Sequence, residues 1–191
     1  TIEKEINKEA GGLEKFASGH EYYGLHFRNN EWIFREWAPN ATAIYLTGEF
    51  TQWNDETAFA LKRINDHGDW EIRLPFERLH HKDLYRLSMH WDSGHAPRIP
   101  AYARYVVQDE ETKIFNAQIW RPSKSYRRKH LDFRRKEHEA PLIYEAHIGM
   151  AQEEGKIGSY NEFKDLILPR IVDAGYNTIQ LMAIQQHPYY G

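Results

Sequence analysis

The chain has 191 residues, a net charge of −3 at neutral pH and no cysteine. That length can bury a real core in one large domain or two small ones, and the acidic balance excludes a protein drawn over long range to nucleic acid or to an anionic membrane surface. Without cysteine there is no disulfide framework and no thiolate metal site, which fits a reducing, cytoplasmic setting.

Residues 1–8 alternate charge with Ile as a helix end does, Gly11-Gly12 would stop that helix, and a second short one fits 13–17. From Tyr22 the period changes to two. Segments 23–27 and 32–37 read as strands, with Asn29-Asn30 between them as a hairpin turn. Two aromatic and β-branched runs then flank Pro39-Asn40, which reads as strand, turn, strand. The second run ends in Gly48-Glu49-Phe50 and presents Trp53 on a loop between Gln52 and Asn54. Such a tryptophan is either a plug in the core or a flat apolar plate held out to solvent, and the local residues leave both open.

Asp66-His67-Gly68 marks a further turn, after which Trp70, Ile72 and Leu74 alternate with Glu71 and Arg73 as a half-buried strand. Residues 84–91 repeat the pattern, with Tyr85, Leu87, Met89 and Trp91 on one face and Arg86, Ser88 and His90 on the other. Segments 105–108 and 115–120 bring the total to six or seven short strands, the make-up of an immunoglobulin-like β-sandwich. Residues 121–139 then hold eight Lys or Arg against three Asp or Glu. A nucleic-acid arm is one reading of that run, and a solvated interdomain linker is the better one, because no aromatic platform accompanies the charge.

Beyond Pro141 the pattern becomes strand, helix, strand. An apolar strand covers 142–148, and Ser159 with Glu162 forms a capping box. Phe163, Leu166, Ile167, Arg170 and Ile171 follow at helical spacing, Pro169 should bend that helix near Asp165, and Gly175 should stop it. A second buried strand spans 176–184, completing a parallel βαβ unit. Such units rarely stand alone, and the chain starts at Thr1 and stops at Gly191, so it reads as part of something longer. No apolar run is long enough to span a bilayer.

Two separated runs resemble one family. Trp37-Ala38-Pro39 with Gly48-Glu49-Phe50-Thr51-Gln52-Trp53-Asn54 is similar to the carbohydrate-binding module that precedes many α-glucan enzymes. Tyr144-Glu145-Ala146-His147-Ile148-Gly149, with Leu168-Pro169-Arg170-Ile171, Gly175-Tyr176-Asn177, 179–184 and His187-Pro188-Tyr189-Tyr190-Gly191, resembles the first βαβ of the α-amylase type barrel in 1,4-α-glucan branching enzymes. Gly11-Gly12, Lys15-Phe16 and Tyr23-Gly24 resemble their helical lead-in. Gln186 departs from the family, which usually carries Glu there.

The resemblance implies a mainly β chain: helical lead-in 1–20, carbohydrate-binding sandwich 21–120, basic linker 121–141, and a truncated (β/α)8 barrel start 142–191. It implies a glycosyltransferase that moves an α-1,4-glucan segment to a 6-hydroxyl with retention, in glycogen biosynthesis. Retention needs two carboxylates about 5 Å apart, and the family's acids come from later barrel strands, so no catalytic residue is expected in these 191. Glucan binding is the function expected here, through Trp53, Arg86, Trp37, Ala38, Pro39, Asp66 and Gly68, since a sugar asks for a stacking aromatic with polar neighbours. Trp37 has a competing reading as plain core.

His147, His187 and Tyr190 are candidates at the barrel mouth. No cofactor or metal is expected, because His80-His81 would face opposite ways on a strand. The expected partner is glycogen or another α-1,4-glucan, with no nucleic acid, no membrane and the oligomeric state open. Two alternatives stand: a non-catalytic glycogen-targeting module, and part of an isoamylase or debranching hydrolase.

Overall fold

The computed structural model describes residues 1–124, 126–134 and 138–185. By compactness the chain divides into two units, 1–125 and 126–191.

The first unit opens with three short helices, α1 (Ile2–Ala10), α2 (Leu13–Phe16) and α3 (Gly19–Tyr22). Gly11 takes a left-handed backbone and ends α1, as its sequence position requires. Two antiparallel sheets follow. The first has the order β1 (Gly24–Arg28), β2 (Glu31–Trp37), β5 (Asp69–Pro75), β4 (Lys62–Arg63). The second runs β3 (Ala43–Gly48), β6 (Leu84–Trp91), β9 (Phe115–Gln118), β8 (Val106–Gln108), with β7 (Gly94–Arg98) also paired to β6. The hairpin joining β1 to β2 turns on Asn29 and Asn30, both at positive φ, the geometry that matches the twist of the flanking strands.

One core lies between these sheets. Trp32, Phe34, Trp70, Ile72 and Leu74 meet Ile44, Leu46, Tyr85, Leu87 and Ala117 in it. The link through Pro39-Asn40 therefore carries the chain from one sheet to the other and is not a hairpin. The mainly β architecture with short leading helices agrees with the sequence reading; β4, β7 and α3 are additions to it.

In the second unit β10 (Ile143–His147) pairs in parallel with β11 (Thr178–Met182). The crossover contains α4 (Tyr160–Glu162), a wide π-helical turn over Phe163–Ile167 and α5 (Leu168–Asp173). Pro169 has no amide to donate, and the expected bend near Asp165 takes the form of this wide turn. Ala146, Ile148, Phe163 and Ile171 make a small core of their own.

The capping box at α4 is complete: the Glu162 amide donates to Ser159 Oγ at 3.2 Å and the Ser159 amide to Glu162 Oε2 at 2.8 Å. The Lys156 ammonium at 2.6 Å, then the Ser159 amide and hydroxyl, hold the Glu162 carboxyl down from 4.5 to about 2. A carboxyl depressed on folding adds stability that is whole above its unfolded value and disappears as pH falls through the folded one. Helical ellipticity should therefore decline between pH 4.5 and 2, a decline that Glu162→Gln flattens; an identical titration in the variant would remove the box from the account.

Candidate functional site

The site is assembled from the end of β3. Gly48 is needed there because a Cβ would overlap the Leu84 carbonyl and the Phe50 ring. The chain then doubles back: the Trp53 amide donates to Gly48 O at 2.8 Å and that of Gln52 to Glu49 O at 3.1 Å. Thr51 Oγ1 accepts from the Gly48 amide at 3.1 Å. Gln52 and Trp53 sit at φ 51° and 62°, the left-handed region disfavoured for side chains that carry a Cβ. This turn holds the Trp53 indole 38% exposed.

Beneath it lies Arg86, which faces Thr47 across the ladder between β6 and β3. Its guanidinium carbon stands 4.7 Å from the Trp53 ring centroid, and its Nε is buried with no hydrogen-bond partner among the described residues. Trp53 and Arg86, 33 positions apart, are thus brought together as plate and donor. Asn54 has another use, since its amide nitrogen donates to the Thr51 and Gln52 carbonyls at 3.3 and 3.2 Å.

The outer face of β6 continues with Ser88 and His90. His90 Nε2 lies 2.7 Å from Asp55 Oδ2, tying the strand to the loop two residues past Trp53. His95 stacks on His90 at 5.0 Å, and Tyr45 meets it edge-on at 5.5 Å. Asp55 and His95 were missed from the sequence, where nothing links them to His90.

Trp37, Ala38 and Pro39, with Met89, Trp91 and Arg98, line a groove of about 370 Å³ that His90 also borders. Trp37 is 57% exposed, which overturns its reading as core. Its indole N–H donates to His67 O at 2.9 Å, the Ala38 amide donates to Gly68 O at 2.8 Å, and Trp70 Nε1 donates to Ala38 O at 2.9 Å. Gly68, at φ 96°, lies so close to Pro39 that any Cβ would collide with it. Asp66 serves the turn through its carbonyl, 3.4 Å from Arg63 Nη2, while its side chain is exposed. Behind them the buried Glu36 carboxylate accepts from the Trp37 and Ala101 amides, each at 3.2 Å, and burial pushes its pKa up.

In the second unit His147 is the half-buried last residue of β10. Gln186, His187 and Tyr190 lie outside the described residues.

Residues 22–103 match the family model of carbohydrate-binding module 48 (isoamylase N-terminal domain). The chain is 41% identical over 194 residues to a 1,4-alpha-glucan-branching enzyme of Rhizophagus irregularis, and 38% identical over 199 residues to that of Dictyostelium discoideum. These alignments cover 98% and 100% of the chain, which spans 28% of the length of each relative. A branching enzyme of Arabidopsis thaliana, named as chloroplastic or amyloplastic, is 37% identical over 99% of the chain and 24% of its own length.

Among solved structures the fold is similar to a Group B Streptococcus pullulanase, with a TM-score of 0.67 and 17% identity over 87% of this chain and 24% of that one. A Bacillus acidopullulyticus pullulanase gives 0.63 and 15% over 88% and 22%. Nearly the whole chain is thus similar to 28% of the length of 1,4-alpha-glucan-branching enzymes, and its residues 22–103 match carbohydrate-binding module 48.

Proposed function

We propose that the immunoglobulin-like sandwich docks α-glucan, such as glycogen, for a cytoplasmic branching enzyme that transfers an α-1,4-glucan segment to a 6-hydroxyl with retention. The observation that carries this reading is the Trp53 indole, left open to solvent with the Arg86 guanidinium against it. An aromatic face covers the apolar C–H face of a glucose ring, and the arginine donors meet its hydroxyl rim. The groove at Trp37 and Pro39 is a second contact for the same polymer, aligned by the turn at Asp66 and Gly68. No helix among the described residues is long and apolar enough to cross a membrane.

The parallel pair β10 and β11 with its helical crossover supports a barrel of the α-amylase type, with His147 at the mouth. The catalytic carboxylates then belong to other strands of that barrel. In a native gel containing glycogen the 191-residue chain should migrate more slowly than in a plain gel, and soluble maltooligosaccharide should restore its mobility. Equal migration in both gels would refute glucan docking. On amylose the chain should form no branches and release no reducing ends, and turnover would refute the absence of its catalytic acids.

A further inference from the structure

We infer that the cavity framed by Tyr102, Arg104, Trp120 and Arg121 is a second binding site, for a phosphorylated hexose. It shares no residue with the Trp53 and Arg86 pair and holds about 250 Å³. That is just under the ~300 Å³ at which ligand pockets commonly begin, which suits one sugar ring, free or at the end of a chain.

Charge is the first argument. Arg104 Nη2 donates to His26 Nδ1 at 3.2 Å, and His26 Nε2 in turn lies 2.8 Å from the Tyr23 carbonyl, to which it donates. Nδ1 is then an acceptor, so this imidazole is neutral. Burial lowers its pKa as well. Arg121 stands 3.6 Å over the Phe27 ring and 5.0 Å from that of Phe76.

Neither guanidinium pairs with a carboxylate among the described residues. The buried Glu36 is occupied by the Trp37 and Ala101 amides. Two cations bordering one cavity without a carboxylate in direct contact focus a field that an anion relieves. Arginine forks bind phosphate oxygens two at a time.

Shape is the second argument. Trp120 stacks on Tyr105 at 4.5 Å with 8° between the planes, meets the His81 ring edge-on at 4.8 Å, and is 51% exposed as one of the residues lining the cavity. Inorganic phosphate would leave that plate unused, and a neutral sugar would offer the arginines hydroxyls but no charge to neutralise. A phosphate monoester on a hexose engages both.

The test is calorimetric titration of the 191-residue chain with glucose 6-phosphate, inorganic phosphate, glucose and a phosphorylated maltodextrin, each alone. Glucose 6-phosphate should saturate the site and bind about tenfold tighter than phosphate or glucose. Arg104→Gln should weaken it by about tenfold or more, the value of one charge-assisted hydrogen bond. Trp120→Ala should erase its advantage over phosphate, and Trp53→Ala should leave it unchanged.

Maltodextrin binding as tight as the free ester identifies a phosphoglucan as the source, and weaker binding identifies the free sugar phosphate. Absent saturation, equal affinity for phosphate, or full affinity in both cavity variants with native circular dichroism would overturn the proposal. So would loss of binding in Trp53→Ala, which would merge the two sites and leave the glycogen result standing.

Discussion

Leu46→Ala is expected to lower the unfolding free energy of the sandwich by about 3 kcal/mol or more, with a fall in Tm on the order of 10 °C. Leu46 has no exposed surface, lies opposite Leu87 in the ladder between β3 and β6, and packs into the core shared by both sheets. Removing its branched end forfeits the transfer of those carbons from water and leaves a hole. Surrounding rings such as Phe34, itself 1% exposed, are held by their own strands and will fill it only in part. Chemical denaturation followed by tryptophan fluorescence measures the difference. A loss below about 1 kcal/mol would mean that the site collapses freely, and that the two sheets are not locked on a common core at this layer.

That core was legible in the sequence because period two is a direct readout of a half-buried strand. Trp70, Ile72 and Leu74 announce themselves against Glu71 and Arg73, and the structure buries them. The same logic fails where the signal is short or mixed. β4 is two charged residues, and β7 contains Pro97, which lacks the amide a central strand needs. Pro97 is tolerated because β7 pairs with β6 alone, a fact of tertiary arrangement that no local window contains.

Trp37 carries a different lesson. Its type suggests core, yet its parity along β2 sets it against the inward Trp32, Phe34 and Glu36, and parity wins. Reading that alternation strictly would have placed Trp37 outside and flagged Glu36 as a buried acid. Of the candidate glucan residues, motif resemblance named Trp53 and Arg86, and β6 alternation put Arg86, Ser88 and His90 on one face. Asp55 and His95 join them only through folding, since hydrogen bonding and ring stacking across 35 and 5 positions leave no periodic trace.

Trp53→Ala is expected to weaken retention on glycogen by about fivefold, on the order of 1 kcal/mol, while unfolding stability changes less than in Leu46→Ala. The asymmetry follows from placement: a ring 38% exposed on a hydrogen-bonded turn contributes modestly to the core but presents most of the flat surface a sugar can cover. Arg86→Ala should also weaken retention, because it takes away donors beside the sugar and the cation lying 4.7 Å from the indole.

The double variant separates these roles. If the guanidinium acts partly by bracing the indole, removing both side chains will cost less than the sum of the single losses, since each single change already disables part of the other. Additive losses would make Arg86 an independent sugar contact. Unchanged migration of Trp53→Ala in a glycogen gel would reduce the turn from Gly48 to Asn54 to a wall of the sandwich and shift glucan docking to the groove at Trp37 and Pro39, whose indole is the more exposed of the two at 57%.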